Sequence, residues 1–273
     1  MKKIIITLTL LAIAGIQNNL YSGTESIPRV AAHRGANEFA PENTLAAFRK
    51  AVELGVDLIE IDVRKTKDNV NIIMHDATLK RTTGLDGNVS DWNYADLKDV
   101  SAGKQFRQFA NDFASEKIST LEETCKVVAE ANKEFKKNVS FYVDCKDPEL
   151  PGMIRVLKEY SFLETSVFYG NDTRLLAIRE LAPEAKLMPA YGSANTLQER
   201  IERLKPYAFD ISWQSLNREL VADLHSKGIK AYSDAPISAT IDDLVSVIEM
   251  GIDLIQTDRI LNVQEAINKA TTK

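Results

Sequence analysis

Residues 58–63 read LIEIDV, and the alternation within this short run organises the reading of the whole chain. In an extended strand successive side chains point to opposite faces, so Ile59, Ile61 and Val63 share one face and Glu60 and Asp62 the other. The apolar set is expected to pack against helices outside a barrel, which turns both carboxylates inward. Two neighbouring carboxylates in a confined interior repel each other, and each is costly to remove from water without a partner. A divalent cation removes both penalties, and an all-oxygen donor set favours Mg²⁺ or Ca²⁺ over zinc. Salt bridges to inward Lys or Arg residues account for the segment alone equally well.

Outward from this strand, short β-rich runs alternate with helical patterns. Further strands are expected at 29–35, 139–146, 166–170, 186–192, 209–214, 230–235 and 253–259. A helix is expected after each, near 44–54, 120–132, 152–160, 172–181, 196–205, 217–227, 240–250 and 263–270. Apolar Leu45, Phe48 and Val52 recur at helical spacing with Gly55 as the stop, and Thr120 to Glu123 spells a capping box. Eight strands and eight helices are the arithmetic of a TIM (β/α)₈ barrel, and 273 residues suit one. An open doubly wound sheet is the competing arrangement. One stretch breaks the rhythm: residues 71–76 read as an extra strand, and residues 77–118 form a small inserted subdomain after the second strand. Loops that leave a strand's C-terminal end lie on the functional face of a barrel.

The composition is that of a globular protein, with 44% hydrophobic and 27% charged residues, so a normal core is within reach. A net charge of −5 argues against bulk nucleic-acid binding. Met1, Lys2 and Lys3 precede an apolar run over residues 4–16, shorter than the roughly 20 residues of a spanning helix. Residues 1–23 therefore read as a signal peptide, residues 24–273 as the catalytic barrel, and the expected location is periplasmic or secreted, with no membrane span in the mature form. Cys125 and Cys145 form no metal pattern; each is expected to be buried unless the two join in a single disulfide.

Other polar groups fall at strand ends. Asp144 and Lys146 lie two apart on one face of their strand. This suits a third metal oxygen beside a fixed cation, and equally a simple neutralising pair. His33 and Arg34 close the first strand ahead of Gly35, and His75 closes the extra strand. Arg offers a planar fork to phosphate oxygens, and His exchanges a proton near neutral pH. His225, the third histidine, is expected at the surface of a helix. Two histidines, an arginine and three carboxylates at strand ends describe phosphoryl chemistry, with cations offsetting charge and imidazoles moving protons. No Gly-rich phosphate cradle is present, so nucleoside triphosphates are not indicated.

The segments AHRGANEFAPENTLAAF (32–48), GVDLIEIDVRKTKDNVNIIMHDATLKRTTG (55–84), ISTLEE (118–123) and GIDLIQTDR (251–259) resemble the glycerophosphodiester phosphodiesterase family. The resemblance implies a TIM barrel with an inserted subdomain, one Ca²⁺ or Mg²⁺ ion, and hydrolysis of a small-molecule glycerophosphodiester to an alcohol and glycerol 3-phosphate. It implies His33 and His75 as the acid/base pair, Arg34 and Lys146 on the phosphate, and Glu60, Asp62 and Asp144 on the metal. Glu42 and Asn43 fall where the family places groups beside metal and phosphate. Two other outcomes share these motifs: a related lyase or hydrolase that releases a cyclic phosphate, and a catalytically weak barrel that only binds glycerophosphodiesters. The sequence departs from the family's pattern in having Asp144-x-Lys146 in place of E-x-K. AYSDAP (231–236), with Tyr232 and Asp234, stands where an aromatic-rich strand is usual.

Overall fold

The computed structural model describes residues 27–106 and 113–272; the signal peptide expected at 1–23 and part of the expected insertion lie outside the described residues. The chain begins with β1 (Arg29–Ala32), α1 (Leu45–Leu54), β2 (Leu58–Lys65) and β3 (Asn71–Ile73). Two single-turn helices, α2 (Lys80–Thr83) and α3 (Tyr94–Leu97), lead to α4 (Leu121–Phe135) and β4 (Ser140–Asp147). Strict alternation follows through α5 (Leu150–Glu159), β5 (Val167–Tyr169), α6 (Asp172–Leu181), β6 (Lys186–Met188), α7 (Leu197–Leu204) and β7 (Ala208–Asp210). The last elements are α8 (Arg218–Ser226), β8 (Lys230–Asp234), α9 (Ile241–Glu249), β9 (Leu254–Thr257) and α10 (Ile260–Thr271).

Apart from β3, which runs antiparallel to β2, the strands pair in parallel in the order β6-β5-β4-β2-β1-β9-β8-β7. The two ends of that order meet. Ala190 bridges Asp210, with Tyr191 N–H donating to the Asp210 carbonyl at 2.7 Å and Asp210 N–H to that of Pro189 at 3.1 Å. This closure excludes the open doubly wound sheet. The fold is a TIM barrel, with helices forming the outer ring.

The local signals act where the sequence placed them. Thr44 caps α1, accepting from the Ala47 N–H, and Gly55 closes that helix in the left-handed region. Thr120 and Glu123 form the reciprocal capping box of α4. Ile59, Ile61 and Val63 are fully buried against the helix layer, with Phe48, Leu121 and Val128 in the same cluster. Several strands are shorter than expected. β1 stops at Ala32, so His33 and Arg34 lie in the turn beyond it, and β3 stops at Ile73, so His75 lies in the following loop. The expected strand at 209–214 gives way after Asp210 to a 3-10 turn at Trp213–Ser215.

Inside the barrel, one residue from each parallel strand forms a dry plug: Ala31, Leu58, Tyr142, Val167, Met188, Ala208, Tyr232 and Leu254. Because side chains alternate, the next inward position on each strand lies two residues on. That step reaches His33, Glu60, Asp144, Tyr169, Ala190, Asp210, Asp234 and Gln256, a largely polar ring above an apolar floor. Tyr232 belongs to the floor, packed edge-on to Tyr207, so of the AYSDAP strand it is Asp234 that rises to the ring.

Between β3 and α4 the chain gathers Ile72, Met74, Leu79, Val89, Leu97, Ala102 and Ile118 into a separate small apolar cluster. Both cysteines are buried free thiols, which excludes a disulfide between them. His225 is half-buried rather than at the open surface. Its Nε2 lies 2.7 Å from Asp253, which also holds Lys230 at 2.9 Å at the far end of the barrel.

Candidate active site

The C-terminal ends of the strands open into a cavity of about 320 Å³. His33, Arg34, Glu60, Asp62, His75, Asp144 and Lys146 all line it. The structure therefore brings seven of the expected site residues to one place, drawn from β2 and β4 and the loops that follow β1 and β3, while Glu42 and Asn43 do not line the cavity.

The carboxylates of Glu60, Asp62 and Asp144 each contribute an oxygen to a group whose members lie within 4.8 Å of one another. Glu60 and Asp62 are buried, at 3% and 1% exposure. Burial, then the charges of Asp62 and Asp144, push the Glu60 carboxyl well above the usual carboxylate range. Asp144 is also raised, because burial outweighs the attraction of Lys146. The Lys146 ammonium lies 2.5 Å from Asp144 and 3.2 Å from Asp62. The Lys146 contact falls on Asp62 Oδ1 as an ion pair without hydrogen-bond alignment, and Asn43 Oδ1 is buried without a hydrogen-bond partner. Clustered acceptors, mutual repulsion and the orphaned Asn43 oxygen together fit a hard divalent cation.

The turn that carries His33 and Arg34 is strained. Arg34 and Asn43 occupy left-handed backbone at φ 54° and 56°, a conformation that costs about 1–3 kcal/mol per non-glycine residue. Gly35 follows at φ 84°, where an added Cβ would stand 2.9 Å from the Ala47 Cβ on α1. The strained turn lets the Arg34 N–H donate to Glu60 at 2.7 Å while its guanidinium faces the cavity. Asn43 donates to the second oxygen of Asp62 at 2.8 Å.

Each imidazole is held by a carboxylate. His33 Nδ1 lies 2.7 Å from Asp258, and His75 Nδ1 lies 2.7 Å from Asp76. A carboxylate partner requires the proton on Nδ1, which leaves Nε2 of both rings for proton exchange. His33 Nε2 accepts from Arg34 Nε at 3.2 Å. Asn37 donates to both Asp258 and the His33 carbonyl, fixing the dyad from behind. Hydrogen bonding to Arg81 overrides burial at Asp76 and holds its carboxyl well below the usual range.

Glu42 stands one layer back from the cavity. It takes two bonds from Arg81 at 2.7 Å and one from Arg34 at 2.9 Å, and those guanidiniums lower its carboxyl against the opposing effect of burial. A continuous chain thus runs from His75 through Asp76, Arg81, Glu42 and Arg34 to His33 and Asp258. Glu42 positions cations rather than meeting an anion itself, since a carboxylate repels phosphate.

The sequence reading assigned no role to Asp258, Asp76, Arg81, Asp210 or Gln256. The signal for the last two was the two-residue step above the apolar plug, visible only once the plug is known. For Asp258 we expect Asp258→Asn to lower kcat by about 10²–10⁴-fold, the size of effect that follows when an imidazole loses its orienting carboxylate. Steady-state kinetics would check this: KM should stay within about threefold if Asp258 orients the His33 ring rather than binding substrate. A loss confined to KM would show that Asp258 serves the pocket wall instead.

Comparison with known proteins agrees with this geometry. Residues 33–262 match the model of the glycerophosphoryl diester phosphodiesterase family. A glycerophosphodiester phosphodiesterase of Caldanaerobacter subterraneus subsp. tengcongensis is 32% identical over 239 residues, spanning 84% of this chain and 93% of its own length. A second, from Bacillus subtilis, is 30% identical over 220 residues, 72% of this chain and 73% of its own. Among solved structures, an Oleispira antarctica phosphodiesterase in complex with the product sn-glycerol-3-phosphate superposes with a TM-score of 0.76. It is 27% identical and covers 89% of this chain and 97% of its own.

Proposed function

The chain belongs to the glycerophosphoryl diester phosphodiesterase family, and on that premise we propose that it hydrolyses glycerophosphodiesters to an alcohol and glycerol 3-phosphate by metal-assisted acid–base catalysis. The observation that carries this reading is that two carboxylate-held imidazoles and a three-carboxylate cluster line one cavity.

Glu60, Asp62 and Asp144 would hold the cation, which their oxygen chemistry points to as Ca²⁺ or Mg²⁺. When bound, such an ion supplies Lewis-acid stabilisation of charge on phosphoryl oxygens. Arg34 offers its fork to the phosphate, kept in place by Glu42 and by its own strained backbone. Lys146 contributes a second positive charge from β4. One imidazole takes the proton of the attacking oxygen on its Nε2, and the other delivers a proton to the departing alkoxide from its Nε2. Asp258 and Asp76 hold the two rings in the tautomer this exchange needs and stabilise the imidazolium as it forms.

The basic start and apolar run of residues 1–16 support export, and with it a periplasmic or secreted site of action. Among the described residues no helix is long and apolar enough to cross a membrane.

The test is release of glycerol 3-phosphate from glycerophosphocholine and glycerophosphoethanolamine, with Ca²⁺, with Mg²⁺, or with EDTA. Turnover is expected with at least one cation and should fall by about 10²-fold or more on chelation. Absence of turnover with either cation would sink the proposal. Accumulation of a cyclic phosphate in place of glycerol 3-phosphate would redirect it to a lyase.

A further inference from the structure

The polar ring above the plug divides into two halves. The half built by β1, β2 and β4 carries the histidine, the metal carboxylates and Lys146. The half built by β5 to β9 presents Tyr169, Ala190, Asp210, Asp234 and Gln256, and the chemistry above uses none of them.

This second half is acidic, and desolvation by the protein around it keeps the Asp234 carboxyl raised against the attraction of the His33 ring and a bond from Gln256. Among the described residues, neither Asp210 nor Asp234 has a lysine or arginine within ion-pair distance, whereas Asp62 and Asp144 share Lys146. The two carboxylates repel each other. Burial, Asp234 and Asp144 push the Asp210 carboxyl up to about 7. Asp234 is exposed at the end of β8, and it lines the cavity. An independent feature stands beside them. Gln256 is 5% exposed, lines the same cavity, and its Oε1 is buried with no hydrogen-bond partner. The wall therefore offers acceptors in excess: two carboxylates and an amide oxygen, next to the Tyr169 ring.

We propose that Asp210, Asp234 and Gln256 form a subsite for an ammonium group, so that the enzyme prefers glycerophosphodiesters whose alcohol carries a primary amine. This rests on the phosphodiesterase reading. The phosphate must lie against Arg34 and Lys146, so the opposite wall meets a far end of the substrate. A primary ammonium there brings three N–H donors, matching the unpartnered Gln256 oxygen and the two carboxylates. Its charge removes the repulsion between Asp210 and Asp234, and the tyrosine face adds cation–π attraction. A neutral polyol would leave that repulsion in place, and a carboxylate-bearing alcohol would add to it.

The experiment compares kcat/KM for glycerophosphoethanolamine and for the neutral glycerophosphoglycerol, in the cation-loaded native enzyme and in Asp234→Asn and Asp210→Asn. The native enzyme should favour the ammonium substrate by about tenfold or more, and either substitution should erase most of that ratio while sparing turnover of the neutral substrate. Ethanolamine should inhibit the native enzyme competitively and the Asp234→Asn variant about tenfold more weakly. The inhibition series also serves if Asp210→Asn fails to fold. Equal losses on both substrates would assign the carboxylates to the shared glycerol end and overturn the proposal, as would unchanged ratios. No turnover of either substrate by the native enzyme would instead count against the phosphodiesterase reading itself.

Discussion

Alanine at His33 or at His75 is expected to lower turnover by about 10²–10⁴-fold, the contribution that positioned acid–base groups make to such reactions. The fold should survive both changes. Their side chains are 28% and 35% exposed, and neither belongs to an apolar cluster. His33→Ala leaves Asp258 bonded to Asn37, and His75→Ala leaves Asp76 bonded to Arg81. Neither truncation strands a buried charge. No imidazole belongs to the Glu60, Asp62 and Asp144 group, and His75 acts on Asp144 only through its charge. Each variant should therefore keep the native thermal shift on adding Ca²⁺ or Mg²⁺ while losing glycerol 3-phosphate release. Activity within tenfold of native would remove that histidine from proton transfer. If both rings serve one reaction, as proposed, the double variant should lose much less than the product of the two single effects.

The parts of this site that were legible in the sequence share one property: strong neighbours fixed their orientation. Glu60 and Asp62 could be turned inward because Ile59, Ile61 and Val63 set the register of an eight-residue strand. Asp144 and Lys146 followed from Phe141, Val143 and Cys145 in the same way. β7 is three residues long, so Asp210 had too little alternation around it to show which way it faced. Asp258 was visible in the GIDLIQTDR segment, but its partner His33 lies 225 positions away, and nothing local announces that pairing. Arg81 is the second residue of a single-turn helix in the least periodic stretch of the chain. Its tie to Glu42 and Asp76 is a product of how β3 folds back on β2. The barrel itself needed only counting, since eight strand–helix alternations have few ways to close. The strand ends were overestimated because polar residues such as His33 keep an extended pattern in sequence after the ladder has ended.

The carboxylate most exposed to this logic is Glu60, and Glu60→Gln should separate stability from function. Glu60 is buried, bonded to the Arg34 N–H, and raised well above the usual range by burial and by Asp62 and Asp144. A group whose folded pKa lies above its unfolded value contributes stability that is fully present below the unfolded pKa and lost as pH rises through the folded one. Without a cation, the native protein should therefore weaken as pH rises from acid toward neutral and beyond. Glutamine keeps an acceptor for Arg34 and removes the charge. In EDTA the variant should accordingly melt higher than native by about 2–4 °C, the shift that about 1 kcal/mol produces in a chain of this size. The gain should be larger at pH 8 than at pH 5. With Ca²⁺ or Mg²⁺ the order reverses: the native protein gains stability by binding the ion in competition with a proton, so its gain also grows with pH, and the variant gains little. Turnover of the variant should fall by about 10²-fold or more at cation levels that saturate the native enzyme. Thermal melts at the two pH values, with and without cation, read out both halves. A variant with native cation response would take Glu60 out of the metal site, and one destabilised in EDTA would show that its ionised form supports the fold.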